Sequence, residues 1–363
     1  MELMKRKLIK RIIASITLLV VFMSVGCSKT TPANSNKETT GEITTDTVEV
    51  TTEEEKEEVD ENLNYAMEEI QATYKAETDL LKQYPNIVKG DAIEILYDFE
   101  SEEYQELLDK YPIEEIAGEG SEFERVERLL YEFSARLIHG SYYDNSIEET
   151  ALALLEYSLD KPENGINCRA KAVIFKDMCL ALGIYARIVS IAPYSAVDMD
   201  SHVVNEIYDS KLQKWIMVDL TTGGYVVDKN NIPLSVLEIR QCGIEGKDCQ
   251  FVCKDYTASP EQYNKGLGDI LTYYMKNVFY FAISTHQGYG DFENESQTYF
   301  YIPENFDIKK QMLSNYNYEI QLFKEMSEYA HLAELLEKDM EELRKATIEI
   351  GDVESVYVPM KSE

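Results

Sequence analysis

Between residues 164 and 225 the hydrophobic pattern changes period from helical to alternating, and that sharply narrows the folds open to this chain. Asn164-Gly165-Ile166-Asn167-Cys168 is turn chemistry running into a helix, RAKAVIFKDMCLALG, which Gly183 ends as a C′ residue should. A β-rich run follows, IYARIVSIAPY (184–194), then the polar loop SAVDMDS. Two further runs, HVVNEIY (202–208) and WIMVDL (215–220), flank the polar connection 209–214. Apolar residues alternating on either side of a polar turn mark a β-hairpin. The expectation is an α+β fold, with this helix packed on an antiparallel sheet.

Three residues in this block point to chemistry. Cys168 falls in the first turn of its helix, where unpaired N–H groups and the macrodipole favour an anion, a setting that raises the thiolate fraction of a cysteine. If His202 sits opposite Asp219, the hairpin turn centres inside the 209–214 connection, and both side chains project from one face, about 5 Å apart at Cβ. A hydrogen bond from that carboxylate would fix the imidazole tautomer and support its charged form. A helix-start Cys with a strand-borne His–Asp pair supplies the nucleophile, base and orienter of thiol-based acyl transfer. Taken alone, Cys168 reads as a small core hydrophobe. The chain has four histidines, so the alternatives are few. His139 precedes Gly140 at a helix end and suits a C-terminal dipole partner, while His286 and His331 have no thiol-and-acid setting. Asn164 and Asn167 either cap the helix or line an oxyanion hole beside the Cys168 N–H, with capping favoured.

Elsewhere the sequence speaks of packing and of location. Helical periodicity begins at Asn62 (Leu63, Met67, Ile70, Tyr74), and helices are expected over about 101–110, 121–138 and 146–157, the last with a Ser146/Glu149 capping box. One long amphipathic helix is expected over 316–346. Cys179 shares a helix face with Cys168, too far along the axis for a disulfide, and reads as core. Cys242, Cys249 and Cys253 cluster within twelve residues, and one disulfide among them is expected outside the cytoplasm. Cys-x-x-x-Cys without an evident fourth ligand is a poor zinc site. The 26 Tyr suit a packed aromatic core or a peptide or glycan groove.

The N-terminus reads as an address. Five basic groups in residues 1–11 precede the apolar run IIASITLLVVFM and then Ser24-Val25-Gly26-Cys27, the pattern of a secretory signal. The Cys after Gly26 resembles a lipobox, implying lipid attachment at Cys27, a signal over 1–26 and a protein tethered to the outer face of a membrane. Residues 27–62, rich in Thr and Glu, are too polar and too charged to fold and read as a stalk. With 35 Lys and Arg against 67 Asp and Glu, the net charge of −32 excludes a nucleic-acid partner.

The central block also resembles a known family. Gly165-x-x-Cys168, the Gly183-Ile184-x-Ala186-Arg187 turn, His202 opening a strand, and Trp215-x-x-Val218-Asp219-Leu220-Thr221 are similar to the transglutaminase-like superfamily. The resemblance implies a papain-like core over 120–228 with Cys168, His202 and Asp219 as its triad. A helical lead-in (63–119) precedes it, and a C-terminal extension of unknown role (229–363) follows. Val204 stands where the family commonly has an aromatic residue, and Leu220 where it has Pro. The resemblance implies an acyl-enzyme on the thiol in active members, others being inactive; for this chain no metal or organic cofactor is expected, with calcium the alternative that so acidic a protein leaves open. The implied partner is a protein or peptide substrate, cell-wall peptide included, resolved by water or by an amine.

Overall fold

The computed structural model describes residues 72–360 except 141, 142, 144, 162, 196, 197, 199, 200, 255–269, 291–296 and 326–329. The signal, Cys27, the stalk and the start of the lead-in therefore lie outside the described residues. From residue 72 the chain is helical to Gln83. It then forms β1 (Leu96–Tyr97), α1 (Glu102–Lys110), α2 (Ile113–Ala117), α3 (Glu122–Arg136) and α4 (Ala151–Asp160). The start of α3 is fixed by a capping box, Ser121 accepting from the Glu124 N–H while Glu124 reaches back. The start of α4 differs from the sequence expectation. Glu149 is drawn to Arg169 at 3.3 Å, and Thr150 caps the helix by accepting from the Ala153 N–H.

The helix that Cys168 opens, α5 (Cys168–Ala181), ends in a Schellman motif. The Ile184 N–H reaches the Cys179 carbonyl, the Gly183 N–H reaches that of Leu180, and Gly183 takes φ +72°. Then follow β2 (Ala186–Ala192), β3 (His202–Asp209), β4 (Lys214–Val218), β5 (Gly224–Asp228), α6 (Val236–Glu245) and β6 (Cys249–Cys253). The chain continues through α7 (Ile270–Asn277), β7 (Tyr280–Ser284), β8 (His286–Gln287), β9 (Thr298–Tyr301), α8 (Ile308–Glu325), α9 (Ala330–Lys345) and α10 (Val353–Val356). The helix expected over 316–346 is thus two helices. Lys309 near the start of α8 donates to the Arg344 and Ala346 carbonyls at the end of α9, so the pair runs antiparallel.

Five strands form one antiparallel sheet in the order β4-β3-β2-β7-β9. Strands β7 and β9 belong to the C-terminal extension, so that extension completes the same sheet that carries His202. The two faces bury different sets of side chains, as strand alternation requires. Ala186, Ile207, Ile216 and Val218 pack with the N-terminal helices and α5. Val189, Ile191, Val204, Met217, Phe281 and Ile283 pack with α6, α7, α8 and α9. The Asn205 amide ties β3 to α5 by donating to the Ala172 carbonyl at 2.9 Å. On the second face Arg187 bonds Glu206 at 2.7 Å, both fully buried, and its guanidinium lies between the rings of Trp215 (4.0 Å) and Tyr357 (4.7 Å). The far C-terminus therefore seals the middle of the sheet.

Candidate active site

The turn before α5 is held by backbone pairing. His139 bridges Ile166 in parallel, with the Ile166 N–H on the Ile138 carbonyl (3.1 Å) and the Gly140 N–H on that of Ile166 (3.0 Å). Gly140 and Gly165 touch there: a Cβ on Gly140 would lie 2.8 Å from the Gly165 backbone, so Gly140 does not accommodate a side chain, and one on Gly165 would sit 3.1 Å from Gly140. Asn167 is the N-cap, accepting from the Ala170 N–H at 2.9 Å, and its amide donates to Asn145. Asn164 is no cap; its amide donates to the Tyr157 carbonyl at 2.7 Å. Cys168 follows as the first residue of α5, 6% exposed, against Ala172, Val203 and Ile188.

His202 opens β3, and its Nε2 lies 2.8 Å from Asp219 Oδ2. The register differs from the expected one by two residues. Asn205 pairs with Val218 and Glu206 with Met217, which puts Asp219 past the last ladder position and His202 diagonally across rather than opposite. A shift of two keeps the face, because side chains alternate with a period of two. The Cys168 side chain acts on the same imidazole, as a hydrogen-bonding partner and as a negative charge.

Asp219 is gripped by Thr221, which the motif includes, and by two residues that it does not mark, Thr222 and Tyr274. Its Oδ1 accepts the Thr221 N–H (2.8 Å), and its Oδ2 accepts the Tyr274 hydroxyl (2.6 Å) and Thr222 Oγ1 (2.9 Å) besides the imidazole. Thr222 and Tyr274 are also 2.7 Å apart. Tyr274 lies on α7, and its neighbour Tyr273 sets its ring edge-on to His202 at 5.6 Å. Burial alone would raise the Asp219 carboxyl. The charge of His202 and the hydrogen bonds from His202, Tyr274 and Thr221 outweigh it and hold the pKa at about 2. Burial likewise pushes the His202 imidazole down, but the Asp219 carboxylate and the Cys168 side chain hold it well above the ordinary histidine value.

Lys171, one turn beyond Cys168, is 1% exposed and donates to the Leu137 carbonyl at 2.7 Å. His139 is not in the last turn of a helix, since α3 ends at Arg136 and Leu137 is its C-cap. It stands at an isolated bridge to Ile166 beside α5, where desolvation and the charges of Lys171 and His202 keep its imidazole neutral. Cys179 is fully buried, as a core residue is. Cys242, Cys249 and Cys253 carry free thiols. Cys242 and Cys249 are hydrogen-bonded to each other, whereas Cys253 ends β6 opposite Gly224. Among the described residues no three His, Cys, Asp or Glu side chains are grouped to hold a metal, and no helix is long and apolar enough to cross a membrane.

The family model for the transglutaminase-like superfamily matches residues 112–220, so this stretch is a transglutaminase-like domain within a mixed helix-and-sheet fold. That superfamily generally includes cysteine enzymes. No curated protein and no solved structure matches the chain. Thr222 and Tyr274, which hold Asp219, both lie beyond the matched residues.

Proposed function

We propose that this protein is a thiol enzyme acting on amide bonds of proteins or peptides through an acyl-enzyme on Cys168. The observation that carries the reading is the buried His202–Asp219 pair at 2.8 Å, whose imidazole also feels the Cys168 side chain. In the first step His202 holds the thiol proton and the thiolate attacks the amide carbonyl carbon, forming the C–S bond. The C–N bond then breaks, and His202 gives its proton to the departing amine. Water or a second amine next attacks the thioester, losing a proton to His202, and the thiol leaves with that proton restored. Asp219 is a positioning residue: it orients the ring and stabilises the imidazolium. The Cys168 N–H at the start of α5 is placed to donate to the developing oxyanion. The reading includes lipid attachment at Cys27 and a place on the outer face of a membrane, with surface proteins or cell-wall peptides as substrates.

A second reading, an inactive binding module on the same fold, is favoured by the burial of Cys168 and by the position of a surface depression. That depression is lined by Tyr111, Glu156, Tyr157, Leu159, Asp160 and Asn164 rather than by the thiol. The two separate on an activated ester. A p-nitrophenyl ester should release one rapid equivalent of nitrophenol and leave an acyl group on Cys168, detected by peptide mass spectrometry and lost in Cys168→Ser. No burst and no acylated peptide would leave only the binding module. Adding a fluorescent alkylamine with a glutamine-containing protein then divides amine transfer, which labels the protein, from hydrolysis, which releases ammonia or peptide.

A further inference from the structure

Lys171 is an expensive residue for the place it occupies. Its side chain is buried, and its ammonium, with three N–H donors, makes one hydrogen bond, to a neutral carbonyl at Leu137. A buried cation without an ion-pair partner is strongly disfavoured, and a neutral donor such as Gln would tie the end of α3 to α5 without that cost. What surrounds the ammonium suggests why a charge is kept. Cys168 precedes it by one turn on the same helix face. Asp219, just after β4, and Cys168 both act on it as negative charges, while His139, from the segment between α3 and α4, feels it as a positive one. His202, from β3, is the other cation of the group, and Arg169 turns away to Glu149. With Cys168 as thiolate, His202 as imidazolium and Asp219 as carboxylate, the buried site carries one negative charge in excess. A single further cation makes it neutral.

We propose that Lys171 is that cation, a positioning residue whose charge balances Asp219 and so sustains the thiolate–imidazolium form of Cys168 and His202. The inference rests on the acyl-enzyme reading above. Burial brings the Lys171 pKa down to about 8, with Asp219 and Cys168 acting against the fall, so the charge is present at neutral pH. Removing a cation that acts on a buried acid shifts its ionisation by about one to two pH units.

The test uses the full chain with Lys171→Met and Lys171→Gln, each shown by circular dichroism and thermal melting to be folded. The rate of iodoacetamide labelling at Cys168 is followed by peptide mass spectrometry from pH 5 to 9. The expected result is an acidic limb moved upward in both variants, with labelling at pH 6.5 about tenfold or more slower. A purely structural lysine would change the melting point and leave the limb in place, and that result would overturn the proposal. If the wild-type thiol itself labels only above pH 8, the acyl-enzyme reading falls, and this role for Lys171 with it. A second readout does not depend on the thiol: the His139 imidazole should titrate higher by NMR in either variant, and an unmoved His139 would show that Lys171 brings no charge to the site.

Discussion

Replacing Tyr274 by Phe removes one hydroxyl from a carboxylate that is 1% exposed, so water has little access to replace it. The lost bond is the shortest that Asp219 accepts, 2.6 Å at Oδ2. Hydrogen bonds to buried charged groups contribute about 1.5–3 kcal/mol. A hydroxyl has one proton, so Thr222, which contacts both Tyr274 (2.7 Å) and Asp219 (2.9 Å), can give its proton to only one of them. In the variant it is free to serve Asp219 alone, and that recovers part of the loss. The expected destabilisation is about 1–2 kcal/mol, a fall in melting temperature of roughly 2–6 °C for a body of this size. Thr222→Val together with Tyr274→Phe should cost more than the sum of the single changes, because each single variant keeps the other donor. The pH dependence carries a sign. The Asp219 pKa in the folded protein, about 2, lies below its unfolded value, so its stabilising contribution is present above about pH 4 and is lost as the pH falls toward 2. Without Tyr274 the folded-state pKa rises toward the unfolded one, so the acid loss of this contribution should be smaller and should end at a higher pH. Urea unfolding at pH 7 and acid titration of the melting point measure both effects. A Tyr274→Phe variant within 0.5 kcal/mol of wild type, with an unchanged acid limb, would refute the view that the C-terminal extension holds the aspartate.

Other consequences are open to simpler experiments. Glu319 on α8 is 1% exposed, one carboxyl oxygen has no partner, and burial pushes its pKa up to about 8. The folded state thus keeps a proton that the unfolded state has lost, and stability should fall between about pH 4.5 and 8. Glu319→Gln should leave the urea midpoint nearly unchanged at pH 5 and raise stability by about 2 kcal/mol at pH 7.5; equal effects at both would contradict the burial argument. Oxidised glutathione should join Cys242 to Cys249, read as a loss of two hydrogens in the linking peptide. Cys253, four residues along the strand and roughly 13 Å away, should not join Cys249; such a bridge, or none, would count against the observed pairing of the thiols.

What the sequence made legible follows from how local each signal is. The helix from Cys168 to Gly183 was readable because its cap, its apolar run and its stop are all local, and Gly183 takes the left-handed conformation expected of it. The hairpin connection was readable for the same reason. Its register was not, because Asp219 leaves the ladder to bridge Gly224, and only tertiary contacts decide where a strand stops pairing. His202 and Asp219 still meet because an error of two preserves the face. The capping box at Ser146 was misplaced because Glu149 is used by Arg169, a contact twenty residues away. Tyr274 had no local signal at all: a Tyr-Tyr pair in an unassigned segment gives no hint that one hydroxyl reaches a carboxylate 55 positions earlier. Lys171 did leave a trace, as a charge one turn after the cysteine on a helix that is otherwise buried on nearly every side.

The central claim is that Cys168 is activated by His202 with Asp219 behind it, and labelling of that thiol tests it most directly. Alkylation of Cys168 should be followed by mass spectrometry across pH 5–9 in the wild type, His202→Ala and Asp219→Asn. Fast labelling near pH 6 that disappears in His202→Ala and weakens in Asp219→Asn is the predicted result. A wild-type thiol that labels no faster than an ordinary cysteine, and only above pH 8, would contradict it and leave the domain as a binding module.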